Sequence, residues 1–146
     1  MRLSLRSALP LAGLALIAAT GVASAKIIKL HAALAPEMHV MSKGTGEMTG
    51  TYNTVTHMLT YKVTDSGMSG PVIAAHIHGP AKPGGDYMLS APILVPLHIS
   101  KTGVIAGHAK LTLKKAKIIE MGDSYVNLHT KANPKGELAG QVSEVK

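Results

Sequence analysis

From residue 26 onward the chain never sustains a helical period of apolar residues for more than about two turns. It offers eight short runs of alternating or β-branched residues, each closed by a turn signal. The runs are KIIKLHAAL (26–34), GEMTGTYN (46–53), THMLTYKVT (56–64), PVIAAHIH (71–78), APILVPLHI (91–99), VIAGHAKLTL (104–113), SYVNLHT (124–130) and ELAGQVSEV (137–145). Between them stand Asp65-Ser66-Gly67, the Gly/Pro-rich stretch from Gly79-Pro80 to Gly84-Gly85, and Asn133-Pro134-Lys135-Gly136, whose Pro and Gly suit the second and fourth positions of a type I turn. That last turn should close a hairpin. KKAKIIEMG (114–122) is the single helical candidate, with Gly122 suited to the left-handed position that ends a helix. An all-β, Greek-key β-sandwich of about eight strands plus one short helix is the expectation.

The first 25 residues differ in kind. Arg2 and Arg6 precede an apolar stretch that ends in Ala23-Ser24-Ala25, the layout of a cleavable export signal. Residues 1–25 are read as a signal peptide and 26–146 as one domain, exported to the periplasm or the extracellular space. No later stretch has the roughly 18 apolar residues of a transmembrane helix, so none is expected once the signal is removed.

Composition narrows the function. There is no Cys, Phe or Trp, so the interior must be built from aliphatics, Met and four Tyr without disulfides. Both arginines fall in the leader, and the remainder carries thirteen lysines against eight acids. That basic balance argues little for nucleic acid, whose readers lean on Arg and stacking aromatics. Lys110, Lys114, Lys115 and Lys117 read as a solvated edge that discourages strand pairing between molecules.

The chemistry concentrates in two strands. In AAHIH, strand alternation puts Ala74, His76 and His78 on one face and Ile73, Ala75 and Ile77 on the core side. In SYVNLHT it puts Tyr125, Asn127 and His129 together on the outer face. Imidazoles two apart on a strand have Cα atoms about 6.5–7 Å apart, close enough to share one ion. His129 would supply a third nitrogen if the strands meet. Imidazole sets suit copper, then zinc, and Tyr125 and Asn127 would orient the ligands rather than bind. The competing reading makes the histidines a hydrogen-bonded structural cluster near strand ends, in a module that touches an extracytoplasmic protein or glycan partner.

AAHIHGPA, followed some fifty residues on by YVNLHTKANPKGELAGQV and preceded by LTYKVTDSGMSGPV, resembles the CHRD domain named after chordin. The resemblance implies an immunoglobulin-like or superoxide-dismutase-like β-sandwich in a secreted setting; in chordin it is linked to binding secreted growth factors. It picks out His76, His78, Tyr125, Asn127, His129 and Gly136, and assigns no metal. The chain departs from the family's usual look at PEMHVM (36–41) and THM (56–58). Met38, His39, Met41 and His57 there are further candidate ligands, since thioether with imidazole suits Cu(I). The plainer reading is that Met fills an irregular core.

An enzyme is not expected. The HIH pair is similar to the copper strand of Cu/Zn superoxide dismutases, but the bridging zinc site, disulfide and guiding arginine of that family have no counterpart in residues 26–146. G-x-S-x-G, H-E-x-x-H and P-loop patterns are missing as well.

Overall fold

The computed structural model describes residues 21, 24–85, 87 and 91–146. Nearly all of the leader expected over residues 1–25 lies outside them. The elements are β1 (Ile27–Pro36), β2 (Thr45–Asn53), β3 (Met58–Ser66), β4 (Val72–His78), β5 (Ile93–Pro96), β6 (Ile105–Lys110), α1 (Leu113–Glu120), β7 (Ser124–Thr130) and β8 (Leu138–Glu144). All eight expected runs are strands, and the expected helix is α1.

Every strand pairing is antiparallel, in the order β5-β4-β7-β8-β1-β2-β3-β6. The sheet folds over on itself where β8 meets β1. That ladder pairs Leu30–His31 with Ser143–Glu144 and Ala35–Pro36 with Leu138–Ala139, and it opens between them. Gly140 lies in the gap, where an added Cβ would stand 2.0 Å from the Ala33 carbonyl oxygen, so only glycine permits the approach. Ile99, just beyond β5, forms a bridge with Ile105 of β6 and nearly closes the sheet.

Alternation decides what goes inside. β1 buries Ile28, Leu30, Ala32 and Leu34, and β3 buries Leu59, Tyr61 and Val63, while the intervening residues face solvent or the sheet edge. Ala75, Ile77, Val126, Leu128, Leu138 and Val142 meet them from the other half of the sheet. With no Phe or Trp, Met48 and the rings of Tyr52 and Tyr61 fill the space those residues would take.

Helix α1 closes one end through Ala116 and Ile119. Thr112 caps it by accepting a hydrogen bond from the Lys115 N–H. At the other end Gly122 takes φ +73° and donates to the Ile119 carbonyl, while Asp123 N–H reaches the Ile118 carbonyl, a Schellman motif. The Asn133–Gly136 turn also forms as expected, with Gly136 N–H donating to the Asn133 carbonyl at 3.1 Å.

Two expectations are corrected. Ile73 is 59% exposed rather than in the core, because a bulge between Val72 and Ala74 breaks the alternation and Val72 packs inward instead. Lys115 is not a purely solvated edge residue: its Nζ donates to the Leu94 carbonyl at 2.6 Å.

Candidate metal centre

Strands β4 and β7 are direct neighbours, so the register decides the site. Ala74 pairs with His129, His76 with Asn127 and His78 with Tyr125, which places all six side chains on the outer face of this half of the sheet. The three imidazoles come together. One ring nitrogen from each of His76, His78 and His129 lies within 4.8 Å of the others, the one such His/Asp/Glu grouping among the described residues.

His76 Nδ1 and His129 Nε2 stand 3.2 Å apart. Two nitrogens bound to one ion at about 2.05 Å would be about 2.9 Å apart at a right angle and about 3.3 Å apart at the tetrahedral angle. The observed separation falls between those limits.

Backbone carbonyls set two of the tautomers. His78 Nδ1 donates to the Ala91 carbonyl at 2.7 Å, and His129 Nδ1 donates to the Pro134 carbonyl at 3.0 Å. Each donation leaves Nε2 with its lone pair, the arrangement typical of metal-bound histidine. His78 Nε2 is buried and has no hydrogen-bond partner among the described residues. A lone pair in that position is costly unless something binds it.

The outer face is covered over the cluster. His78 is buried, and His76 and His129 are half-buried. The Tyr125 ring stacks on His78 at 5.1 Å with 7° between planes, and Tyr87 packs on Tyr125 at 4.4 Å. Ala81, Lys82 and Tyr87, which follow β4, are each tied to neighbouring elements. Tyr125 donates to the Tyr87 carbonyl, Tyr87 donates to Gln141, and Gln141 donates to the carbonyls of Ala81 and Gly122. The Lys82 ammonium grips the Asp123 carboxylate at 2.8 and 2.9 Å.

Burial favours the neutral form of His76 and His129. Burial pushes the His76 pKa down, the neighbouring His129 and His78 push it further, and the Asn127 side chain partly opposes them. Burial also lowers His129, with the Pro134 carbonyl opposing and His78 reinforcing the shift. Asn127 stands buried at the strand position opposite His76.

The other candidate ligands lie elsewhere. Met38, His39 and Met41 sit on the β1–β2 connection, with Met38 55% and Met41 101% exposed, so neither methionine fills the core. His57 sits at the opposite end of these strands, in the β2–β3 turn, where its Nδ1 and the Tyr52 hydroxyl share a hydrogen bond at 2.9 Å. It therefore does not join the 36–41 group.

Sequence reasoning missed Ala91, Pro134, Tyr87 and Gln141. Carbonyls carry no side-chain signature, although Tyr87 is the one tyrosine of four outside a strand. It also missed Glu137, fully buried behind the hairpin turn. Ser42, Ser69, Thr130 and Asn133 side chains and the Ser69 N–H all donate to its carboxylate. Burial pushes this acid up, but the hydrogen bonds from Ser69, Thr130 and Ser42 outweigh it and hold the pKa at about 2.

The CHRD domain family matches residues 29–142, which includes every strand bearing the histidines. No curated protein and no solved structure matches the chain.

Proposed function

The chain belongs to the CHRD domain family, and from that premise we propose that it is an exported binding module, not an enzyme, that takes one transition-metal ion, copper first and zinc second, through His76, His78 and His129. The observation that carries this reading is that one ring nitrogen from each of His76, His78 and His129 lies within 4.8 Å of the others, while the buried Nε2 of His78, left as a lone pair by the Nδ1 bond to Ala91, has no hydrogen-bond partner among the described residues.

Copper heads the order because a neutral nitrogen site binds Cu(II) more tightly than any other divalent first-row ion, zinc included. Tyr125 holds the His78 ring by stacking, Asn127 stands beside His76, and the Ala91 and Pro134 carbonyls keep Nε2 of His78 and His129 facing the ion. Export rests on Arg2, Arg6 and the Ala23-Ser24-Ala25 ending.

The structural alternative also has observations in its favour: the same two carbonyl bonds tie β4 and β7 to the loops that follow them, and His76 Nδ1 stands within hydrogen-bond distance of His129 Nε2. The readings part at His78 Nε2, which a purely structural cluster would have no reason to leave without a partner among the described residues. Calorimetric titration of the wild-type chain and His78→Ala with Cu(II) and Zn(II) tests the proposal. One ion per chain, Cu(II) tighter than Zn(II), with both weakened in the variant, supports it. Equal binding by the two proteins would leave the structural alternative.

A further inference from the structure

We propose a second metal site, separate from the imidazole cluster: the β1–β2 connection holds a soft monovalent ion, Cu(I) or its redox-silent analogue Ag(I), through Met38, His39 and Met41.

The methionines are out of place for any packing role. A chain without Phe or Trp has every use for Met in its interior, and Met48 is 0% exposed there. Met38 and Met41 instead stand in solvent, at 55% and 101% exposure, with His39 exposed between them. Three residues of chain span at most about 10 Å even when extended, and methionine has three rotatable side-chain bonds, so both sulfurs can meet one ion.

The backbone folds these residues back on themselves. Val40 N–H donates to the Glu37 carbonyl at 3.0 Å, which makes Met38 and His39 the two corner residues of a turn. Ser42 N–H then donates to the Val40 carbonyl at 3.2 Å and puts Met41 at the apex of a second, tighter turn. His39 takes φ +69°, a conformation in which glycine would be free of strain, yet a ligand-type side chain occupies it.

Both ends of this double turn are fastened to Glu137. Glu37 N–H donates to the Glu137 carbonyl at 2.9 Å, and the Ser42 hydroxyl donates to the Glu137 carboxylate at 2.7 Å. The connection is thus presented on a fixed base, which reduces the ordering cost of binding.

The donor set selects the ion. Thioethers are soft ligands that favour Cu(I), and imidazole accepts it as well. The chain has no thiol to compete. The one carboxylate within the connection, Glu37, is 4% exposed and so is withheld from a hard divalent cation at the surface.

The test is anaerobic titration of the full chain with Ag(I), and with Cu(I) against a chromophoric Cu(I) chelator, for wild type, Met38→Leu/Met41→Leu and His76→Ala/His78→Ala. Leucine at these exposed positions leaves the core untouched. The methionine variant should bind both ions at least about tenfold more weakly, and the histidine variant should retain this site. Methyl resonances of Met38 and Met41 in the wild-type chain should shift on Ag(I) addition. Unmoved methyls, undiminished binding in the methionine variant, or loss only in the histidine variant would overturn the proposal. Cu(II) binding at the imidazoles is read separately, so either site can fail without the other.

Discussion

His76 Nδ1 and His129 Nε2 face each other across 3.2 Å although 53 residues separate them in the chain. The contact follows from β4 and β7 being neighbours, with Ala74 opposite His129 and His76 opposite Asn127. The imidazole cluster is therefore a product of strand register, and whatever disturbs that register disturbs the cluster.

The pH response of the rings follows from their burial. Folding lowers the pKa of both His76 and His129, so the unfolded chain binds more protons near and below pH 6.5. Stability contributed by these residues is present above pH 6.5 and is lost as pH falls toward the folded-state values. Ring-proton NMR titration should give midpoints below 6.5 for both; a midpoint at or above 6.5 for either contradicts the account.

Glu137 governs a more acidic window. Its carboxyl falls from 4.5 to about 2 on folding, a difference worth about 3 kcal/mol of stability above pH 4.5 that is lost as pH falls toward 2. Glu137→Gln places an amide N–H₂ among five donors and should cost on the order of 3 kcal/mol at neutral pH. Denaturant unfolding at pH 7, 4 and 2.5 should show a smaller loss on acidification in the variant than in wild type. Parallel losses would remove Glu137 from the account.

Gly79 is held between elements. A Cβ there would stand 2.7 Å from the Asp123 carbonyl oxygen, 2.8 Å from Ile118 Cγ2 and 2.9 Å from Leu94 Cδ1. Gly79→Ala must push backbone aside and should cost about 1–3 kcal/mol. Because Gly79 N–H also donates to the Pro92 carbonyl, next to the Ala91 carbonyl that fixes His78, copper affinity should fall with it. Thermal unfolding and a copper titration of the variant check the two effects together.

Tyr125 separates stacking from hydrogen bonding. Tyr125→Phe removes the bond to the Tyr87 carbonyl and keeps the ring on His78, whereas Tyr125→Leu removes both. The first should lower stability by about 1 kcal/mol and leave copper affinity within a few-fold. Tyr125→Leu should weaken copper more than Tyr125→Phe does. Equal copper affinities would show that stacking does not position His78.

Strand alternation and turn chemistry made most of the fold legible in the sequence. The Asn133–Gly136 turn and the Gly122 helix end follow from backbone preferences of a few residues and can be read locally. The convergence of His76, His78 and His129 was legible because two adjacent outer-facing strand rows suffice to produce it. Ile73 was misread because a bulge shifts alternation without leaving a mark in composition. The covering of the face and the tautomers of His78 and His129 depend on carbonyls of Tyr87, Ala91 and Pro134, which any residue could supply. The Glu137 network gathers Ser42 and Ser69 from positions 95 and 68 residues away, beyond any local pattern.

Electron paramagnetic resonance of the chain loaded with one equivalent of Cu(II), wild type beside His76→Ala/His78→Ala, tests the central claim most directly. The account predicts nitrogen hyperfine structure from coordinated imidazole in wild type and its loss in the variant, with the β-sheet circular dichroism unchanged. A spectrum without nitrogen coupling, or the same spectrum from both proteins, would contradict it.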